Sequence, residues 1–375
     1  MQYRKFGRLN WKVSALGFGT MRLPVINNDS HKIDEREAIR MTRYAIDNGV
    51  NYVDTAYTYH GGNSEILVGK ALKDGYRDRV RIATKLPVWS VESHKDMSEK
   101  LNEQLRKLDT DHIDFYLLHS MNLSYWKKMK KIDVFSWLEK EKGAGKISYI
   151  GFSFHDDFSI FKEMIDYYKW DFCQIQYNYV DTEYQAGRKG LLYAAERGLG
   201  VVIMEPLRGG ALANLPLRVM KVLEDSGIKR SAVDWALSWL WNQPEVSVVL
   251  SGMSTFEQVE ENIEIAKKGG INSFNEFELK VIEEASKSFF SALPIGCTGC
   301  EYCLPCTSDI EIPYIFQIYN QGEMFHKMED ARRRYKGLNI KADACTECGT
   351  CASRCPQNLS VPELLKKVHN ELHEH

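Results

Sequence analysis

Cysteines are the residues of this chain whose type and spacing point most directly to chemistry. Eight of the nine cysteines fall within the last 79 of 375 residues, in runs that read CTGCEYCLPC and CTECGTCASRC. Only two residues separate most neighbouring cysteines, which is typical of thiolate ligands to metal rather than of a disulfide framework. The predicted metal ligands are Cys297, Cys300, Cys303 and Cys306 in the first run and Cys345, Cys348, Cys351 and Cys355 in the second.

The two cysteine runs are copies of one another. A shift of 48 positions superimposes the first three cysteines of each run, and a shift of 49 superimposes the fourth. Seven residues after its fourth cysteine each copy reaches a proline, Pro313 or Pro362, and a helical pattern follows. The tail is therefore predicted to be an internal duplication whose unit is a cysteine run, a turn and a helix.

Iron–sulfur clusters fit these runs better than zinc does. The second run has the form C-x₂-C-x₂-C-x₃-C-P, in which the fourth cysteine of two-cluster bacterial ferredoxins ligates the other cluster. Thr307 stands where the second run has Pro356, which weakens the match of the first run. Two structural zinc sites or a single cluster remain as alternatives. The predicted ligands of two [4Fe-4S] clusters are Cys297, Cys300, Cys303 and Cys355 for the first cluster and Cys345, Cys348, Cys351 and Cys306 for the second cluster.

Eight short apolar runs, separated by amphipathic helical patterns, precede the tail. Such runs are typical of buried parallel strands, and their alternation with helices predicts an α/β fold, the (β/α)₈ TIM barrel. The N-terminal residues predict a hairpin that turns at Gly7 and could plug the bottom of the barrel. A small, mainly α-helical iron–sulfur domain follows, so the predicted domains are 1–292 and 293–375. The predicted strands are 14–20, 51–56, 80–86, 113–119, 147–153, 172–178, 200–206 and 246–252.

Polar residues at the carboxyl ends of these strands are the candidates for catalysis, because barrel enzymes place their active sites there. Asp54, Tyr59, Lys85 and His119 make chemical sense together. A tyrosine can act as a general acid when a lysine cation beside it lowers its pKa, and an aspartate can hold that lysine in place. A histidine can orient a carbonyl oxygen. Such a site suits proton delivery to a carbonyl that receives a hydride from a nicotinamide.

Six motifs make residues 1–290 resemble the aldo-keto reductase family. The motifs are DTAYTYHGGNSEILVGKAL, IATKL, FYLLHS, GFSFH, CQIQYN and GMSTFEQVEEN. The tail resembles the dicluster ferredoxin domain that is fused to one branch of that family. The resemblance implies a nicotinamide cofactor, NADP(H) or NAD(H), bound in an extended form without a Rossmann domain. It also implies a catalytic tetrad of Asp54, Tyr59, Lys85 and His119, the family spacing favouring Tyr59 over Tyr57.

The resemblance further implies where the cofactor is contacted. Glycines are expected along the pyrophosphate, because they permit close backbone approach. The implied contacts are Gly19, Thr20, Met21 and Asp54 after strands 1 and 2; Ser153 and Gln174 at the carboxamide; Met204, Glu205, Pro206, Leu207, Gly209 and Gly210 from the nicotinamide to the pyrophosphate; and Ser251, Gly252, Met253, Ser254, Gln258, Glu261 and Asn262 at the adenosine end.

Four positions depart from the family pattern. Phe154 replaces the asparagine usually found beside the serine, and Met204 stands where many members stack an aromatic ring on the nicotinamide. Gly252 and Gln258 stand where many NADPH-dependent members place lysine and arginine against the 2′-phosphate. A phosphate without a charged partner binds more weakly, so NADH is an alternative to NADPH.

Two loop residues, Trp89 and His155, follow strands 3 and 5 near the expected mouth of the barrel. Either side chain could contact a substrate. Packing at the barrel rim explains Trp89 equally well, and the ordinary polarity of a loop explains His155.

Overall composition limits the partners. The formal net charge of −2, with both signs mixed along the chain, offers no basic surface for nucleic acid or anionic lipid. No apolar run approaches membrane-spanning length, and the N-terminus lacks a signal-peptide core. We therefore expect a cytoplasmic protein without nucleic-acid or membrane partners. The expected partners are a small carbonyl substrate and an external electron carrier.

Three functions are compatible with these features. The first is NAD(P)H-dependent reduction of an aldehyde or ketone, or the reverse, with the clusters transferring electrons. Its difficulty is that a hydride carries two electrons together, clusters carry one, and no flavin motif bridges the two. The second is a nicotinamide-binding module for electron transfer or redox sensing, without carbonyl turnover. In the third, the clusters only stabilise a small domain.

Overall fold

A closed barrel of parallel strands forms the first part of the molecule. The computed structural model describes residues 1–373. Its strands are β1 (Tyr3–Lys5), β2 (Lys12–Ser14), β3 (Leu16–Gly19), β4 (Tyr52–Asp54), β5 (Arg81–Leu86), β6 (Ile113–Met121), β7 (Ile147–Phe154), β8 (Phe172–Gln176), β9 (Gly200–Met204) and β10 (Val248–Gly252). The barrel closes in the order β10-β3-β4-β5-β6-β7-β8-β9. All eight predicted strands are present, which confirms the predicted (β/α)₈ fold.

Helices alternate with these strands and then fill the tail. The first, Glu35–Asp47, buries residues at helical spacing on one face, and Asp34 caps it by accepting the Glu37 backbone N–H at 3.1 Å. The helices are α1 (Glu35–Asp47), α2 (Ser64–Ala71), α3 (His94–Leu108), α4 (Leu123–Lys131), α5 (Val134–Gly143), α6 (Phe158–Tyr167), α7 (Gly187–Glu196), α8 (Leu217–Asp225), α9 (Ala232–Trp241), α10 (Phe256–Lys268), α11 (Glu276–Phe290), α12 (Ile312–Met324), α13 (Met328–Lys336), α14 (Thr350–Arg354) and α15 (Val361–His373).

The N-terminal hairpin plugs the barrel, as the sequence predicted. Strands β1 and β2 pair antiparallel, and the turn between them carries Phe6 into the barrel core. The Phe6 ring lies 4.9 Å from the ring of Phe115 and 5.9 Å from that of Phe172, centroid to centroid. Gly7 has φ +54°, and a Cβ atom there would lie under 3.0 Å from the backbone of Gly200. The turn therefore requires glycine for both its conformation and its close approach.

Packing divides the chain into two compact units. The first comprises Met1–Pro206 and Ala236–Phe274, and the second comprises Leu207–Trp235 together with the described chain from Asn275 onward. Residues 207–235, which follow β9 in the sequence, therefore belong with the tail, and α8 packs against α11. The predicted boundary between the domains 1–292 and 293–375 was drawn from sequence patterns rather than from packing, and it stays a prediction.

The tail has a hydrophobic core of its own. Helices α12, α13 and α15 pack together around buried side chains such as Ile315, Phe316 and Leu365. Cys297 and Cys345, the first residues of the two cysteine runs, pack against this core together with Cys303 and Cys306. Among residues 1–373, no helix combines the length and the hydrophobicity that crossing a membrane requires.

Candidate functional site

Strands β4 and β5 bring three of the four candidate catalytic residues together. Asp54 ends β4, and Lys85 lies near the end of β5, the next strand of the barrel. The Lys85 ammonium donates to Asp54 Oδ1 at 2.7 Å and to the Thr55 carbonyl at 2.7 Å. It also donates to the Tyr59 hydroxyl at 3.5 Å. The predicted grouping of aspartate, lysine and tyrosine is therefore present in the structure.

The Asp54–Lys85 ion pair is enclosed by protein. Lys85 is 0 % exposed and Asp54 is 3 % exposed. Burial lowers the pKa of Lys85 and raises the pKa of Asp54, and the attraction between the two groups opposes both shifts. Since removing one partner would leave an unpaired buried charge, each holds the other in place. The pair thereby aims the lysine at the Tyr59 hydroxyl.

His119 completes the candidate tetrad from strand β6. Its ring centroid lies 6.1 Å from that of Tyr59 and 5.1 Å from that of Trp89. Burial, with smaller effects from Lys85 and His155, holds the pKa of His119 well below its ordinary value. The imidazole is therefore neutral at neutral pH, with one nitrogen that donates and one that accepts. Trp89 lies beside the candidate catalytic histidine.

This arrangement can deliver a proton to an oxygen atom. A phenol beside a lysine ammonium is a general acid whose phenolate product is stabilised by the cation. A neutral imidazole N–H can donate a hydrogen bond to the same oxygen and orient it. The roles of the four residues stay predictions.

The predicted carboxamide contacts lie on neighbouring strands. Ser153 of β7 pairs with Gln174 of β8, and the Ser153 hydroxyl accepts the Ser120 backbone N–H at 2.8 Å. The Gln174 amide donates to the Met204 sulfur at 3.5 Å. Its carbonyl oxygen is buried and has no hydrogen-bond partner within residues 1–373. Because such an orphaned acceptor is costly, a ligand N–H fits there, and a nicotinamide carboxamide carries one.

The predicted contacts after β3 are partly used by the fold itself. Gly19 ends β3, and Thr20 and Met21 follow it. The Thr20 hydroxyl donates to the Asp54 carbonyl at 3.0 Å and forms a hydrogen bond with Ser64 Oγ at 2.7 Å. The side chain of Asp54 is different, because its Oδ2 atom is buried without a hydrogen-bond partner in the described chain. Asp54 can therefore accept a hydrogen bond from a ligand while it holds Lys85.

At the predicted adenosine end, the side chains organise the loop between β10 and α10. Asn262 donates to Ser251 Oγ at 2.8 Å, and the Ser254 backbone N–H donates to Gln258 Oε1 at 2.8 Å. The Ser254 hydroxyl donates to the Arg22 carbonyl at 2.8 Å. The other predicted contacts of this end are Gly252 at the end of β10, Met253 in the loop and Glu261 on α10.

Arg22 is a candidate that the sequence did not indicate. Its Cβ and Cγ atoms stand 3.3 Å from the place where a Cβ of Gly252 would be. This proximity arises because β3 and β10 pair where the barrel closes, with Gly19 opposite Gly252. The side chain of an arginine from the loop after β3 therefore lies beside Gly252, one of the two positions where this chain lacks the basic residue of the family pattern.

The segment after β9 passes from the first unit into the second. Met204 ends β9, Glu205 has φ +57°, and Pro206 is buried in the first unit. Leu207 begins the second unit and leads into a tight turn, Arg208–Gly210, whose three residues all have positive φ. The predicted pyrophosphate contacts thus belong to the same unit as the cysteine-rich tail.

Four cysteines line one cavity in the second unit. Its cysteines are Cys297, Cys300, Cys303 and Cys355, together with apolar side chains such as Phe316. Burial, then the neighbouring Cys300, Cys297 and Cys355, raises the pKa of Cys303. The predicted ligand set of the first cluster, including the remote fourth cysteine, is therefore gathered around one space.

The second predicted ligand set is gathered as well, with more exposure. Burial, then the neighbouring Cys345 and Cys306, raises the pKa of Cys351. Cys348 is exposed, and its sulfur lies 3.4 Å from the Thr307 hydroxyl. Thr307, the position where the duplication breaks its symmetry, is thus in hydrogen-bond contact with a predicted ligand of the second cluster.

The backbone repeats the duplication seen in the sequence. Gly299 N–H donates to Cys297 Sγ at 3.4 Å, and 48 positions later Glu347 N–H donates to Cys345 Sγ at 3.4 Å. Within residues 1–373, no three Cys, His, Asp or Glu side chains are close enough together to hold a single metal ion. A cubane spreads its thiolates over four irons. Thiolate donors that surround a cavity therefore suit a [4Fe-4S] cluster better than a single metal ion.

His155 proves to be close to the candidate catalytic group. Its backbone N–H donates to the Met121 carbonyl at 2.9 Å, directly after β7 ends. Burial lowers the pKa of His155 to about 4, and Gln185 bonds the ring. The positive charge of a protonated His155 contributes to the lowered pKa of His119. Sequence spacing alone could not separate this position from an ordinary loop histidine.

Comparisons with known proteins agree with this geometry. The model of the aldo/keto reductase family matches residues 15–278, and that of a 4Fe-4S dicluster domain matches residues 296–360. An NADH-specific methylglyoxal reductase of Escherichia coli is 27 % identical over 308 residues, which are 68 % of this chain and 91 % of that protein. A probable aldo-keto reductase of Glycine max is 27 % identical over 327 residues, which are 78 % of this chain and 89 % of that protein.

Solved structures of the same class are also similar. The holo form of an aldo-keto reductase of Bacillus halodurans has a TM-score of 0.64 and 28 % identity, covering 76 % of this chain and 96 % of that one. A thermostable aldo-keto reductase in complex with the inhibitor epalrestat has a TM-score of 0.62 and 27 % identity. The match covers 76 % of this chain and 100 % of that one. The chain therefore belongs to the aldo/keto reductase family, and a 4Fe-4S dicluster domain follows its barrel.

Proposed function

We propose that this oxidoreductase uses NAD(P)H to reduce an aldehyde or ketone, or catalyses the reverse reaction. The observation that carries the proposal is the buried Lys85, which donates at 2.7 Å to Asp54 and at 3.5 Å to the Tyr59 hydroxyl. A lysine without such a task would not be expected at 0 % exposure. With neutral His119 nearby, the group suits protonation of a carbonyl oxygen.

In the proposed reaction, the hydride that reaches the carbonyl carbon would come from a reduced nicotinamide held by the residues described above. His119 donates a hydrogen bond to the carbonyl oxygen and orients it. Tyr59 transfers its hydroxyl proton to that oxygen, so the carbonyl becomes an alcohol. Lys85 stabilises the phenolate that remains until solvent returns the proton. Asp54 keeps Lys85 charged and aimed throughout.

The residues proposed to hold the nicotinamide have the chemistry it needs. The buried carbonyl of Gln174 and the Oδ2 atom of Asp54 lack partners within residues 1–373, and both suit donors on the ligand. Arg22 offers a cation beside the adenosine-end loop, which supports NADPH. The NADH-specific E. coli relative supports NADH. We propose that both nicotinamides bind and that Arg22 sets the preference.

The proposed substrate is a small carbonyl compound. Trp89 lies 5.1 Å from His119, centroid to centroid, and offers an apolar face for it. The name of the E. coli relative makes methylglyoxal the first compound to test.

The clusters are proposed to exchange single electrons with an external carrier. This proposal follows from the dicluster domain and from the exposure of Cys348. Because hydride transfer moves electron pairs, the two redox systems need not share electrons. The cytoplasmic location and the absence of nucleic-acid and membrane partners stay predictions.

The proposal is tested by initial rates with a panel of aldehydes and ketones, methylglyoxal included, under anaerobic conditions. We expect consumption of NADH or NADPH with at least one carbonyl and formation of the matching alcohol. Tight nicotinamide binding without turnover of any carbonyl would instead favour the redox-sensing module. That alternative is supported by Met204, which stands where many family members stack an aromatic ring on the nicotinamide. Its sulfur instead accepts a hydrogen bond from Gln174.

A further inference from the structure

The turn that follows β9 is built against the first cysteine run. Gly209 has φ +64°, and a Cβ atom there would lie under 3.0 Å from the carbonyl oxygen of Thr298. Thr298 stands between Cys297 and Cys300 and lines the cavity of the first cluster. The Gly209 backbone therefore packs directly against this wall, and a displacement of the wall would be transmitted to the turn.

Arg208 makes a second connection between the same two segments. It is 7 % exposed. Its Nη2 atom lies 3.6 Å from the place of a Cβ on Gly296, the residue before Cys297. Its guanidinium carbon lies 5.8 Å from the centroid of the Phe289 ring. The buried Arg208 side chain thus packs against the residue that precedes the cysteine run, as the Gly209 backbone packs against Thr298.

We propose that ligation of the first cluster sets the affinity for the nicotinamide cofactor, through the contact of the turn Arg208–Gly210 with Thr298. The inference rests on the proposed function, in which Leu207, Gly209 and Gly210 hold the pyrophosphate. Ligation fixes Cys297 and Cys300 on either side of Thr298, and Thr298 fixes Gly209. An emptied cluster site frees this wall, so the turn loses its preorganised shape. Linkage is reciprocal, so a bound nicotinamide also stabilises the ligated first cluster.

The test measures the dissociation constants of NADH and NADPH by equilibrium titration of anaerobic protein. Cys300→Ala removes a ligand of the first cluster, and Cys348→Ala removes one of the second as a matched control. Iron analysis and EPR spectra establish which cluster each variant keeps. We expect Cys300→Ala to weaken nicotinamide binding by about 5- to 150-fold, the usual range of coupling between sites. We expect Cys348→Ala to leave binding close to the wild type.

A second pair of variants reaches the contact without touching a cysteine. Gly209→Ala introduces the clash with Thr298, whereas Gly227→Ala changes a glycine at φ +73° that has nothing within 4 Å. We expect only Gly209→Ala to weaken nicotinamide binding and to change the EPR spectrum of the first cluster.

Equal nicotinamide affinity in the wild type, Cys300→Ala and Gly209→Ala would overturn the coupling and leave the proposed carbonyl reductase intact. Absence of nicotinamide binding to the wild type would overturn both. Equal weakening by the two cysteine variants, with Gly209→Ala unaffected, would also overturn it, because general loss of the tail would then be the cause.

Discussion

At the scale of single residues, two tyrosines close in sequence have different surroundings. Tyr59 receives a hydrogen bond from buried Lys85, whereas the Tyr57 hydroxyl bonds Glu103 at 2.9 Å and Lys100 at 2.8 Å. We expect Tyr59→Phe to lower kcat by about 10²- to 10⁴-fold, the usual worth of a general acid. The nicotinamide dissociation constant should stay unchanged. Steady-state rates and binding titrations check this.

Tyr57→Phe is the matched control, because it removes the same hydroxyl from a half-buried ionic cluster with Glu103 and Lys100. We expect its rates to match those of the wild type. Equal rates for Tyr59→Phe and Tyr57→Phe would remove Tyr59 from the proposed mechanism.

Arg22 is predicted to discriminate between the two nicotinamides. Its side chain lies against Gly252 at the predicted adenosine end, where only NADPH carries a 2′-phosphate. Arg22→Gln should raise the KM for NADPH by about tenfold or more, since a hydrogen bond to a charged group contributes ~1.5–3 kcal/mol. The KM for NADH in the same variant serves as the control. Parallel rises for both cofactors would contradict this role.

Thr307 is predicted to tune the second cluster. A ligated cysteine is a thiolate and accepts only, so the Thr307 hydroxyl at 3.4 Å from Cys348 Sγ would donate. Donors to the sulfurs raise cluster potentials. Thr307→Val should lower the midpoint potential of the second cluster by roughly 40 mV, if the bond contributes about 1 kcal/mol. EPR-monitored potentiometry measures both clusters, and an equal shift of the first cluster would contradict the assignment.

The grouping of Asp54, Tyr59, Lys85 and His119 could be predicted from sequence, because these residue types stand at or just after the ends of successive strands; their catalytic roles stay predictions. Arg22 and His155 could not be predicted in the same way. The proximity of Arg22 to Gly252 depends on where the barrel closes, and that of His155 to His119 depends on how a loop folds back. Neither leaves a pattern along the chain.

At the scale of elements, the barrel strands were predictable because buried parallel strands need continuous apolar runs. The turn at Gly7 was predictable because glycine is the residue that tolerates both a φ of +54° and close contact with the backbone of Gly200. Apolar runs carry no information on which helix packs where, so the packing of residues 207–235 with the tail was not predictable.

The turn at Gly7 gives a test of the barrel plug. Gly7→Ala should destabilise the protein by more than the ~1–2 kcal/mol that a left-handed conformation costs alone, because its Cβ would also clash with Gly200. Gly75→Ala is the control, since Gly75 has φ +83° but nothing within 4 Å. Denaturant unfolding of the two variants separates strain from clash. Equal losses would mean that the plug adjusts without cost.

At the scale of the whole molecule, buried histidines predict how stability depends on pH. The pKa values of His119 and His155 are lowered in the folded state, that of His155 to about 4. Below about pH 6.5 the unfolded chain binds protons that the folded chain excludes, so stability falls as pH falls. Each histidine should contribute up to about 1.4 kcal/mol per pH unit.

Thermal unfolding at pH 7.5 and pH 5.5 checks this, with His155→Gln as the comparison. We expect the wild type to lose more stability on acidification than His155→Gln does. The same loss in both proteins would mean that His155 is not buried in its neutral form.

The central claim is that the barrel transfers hydride to a carbonyl while Tyr59 supplies the proton. The most direct measurement is transfer of deuterium from nicotinamide deuterated at its hydride position to methylglyoxal or another active carbonyl, followed by mass spectrometry of the alcohol. We expect one deuterium atom on the former carbonyl carbon with the wild type and with Tyr57→Phe, and far slower transfer with Tyr59→Phe. Tight nicotinamide binding with no deuterium in any product would contradict the claim.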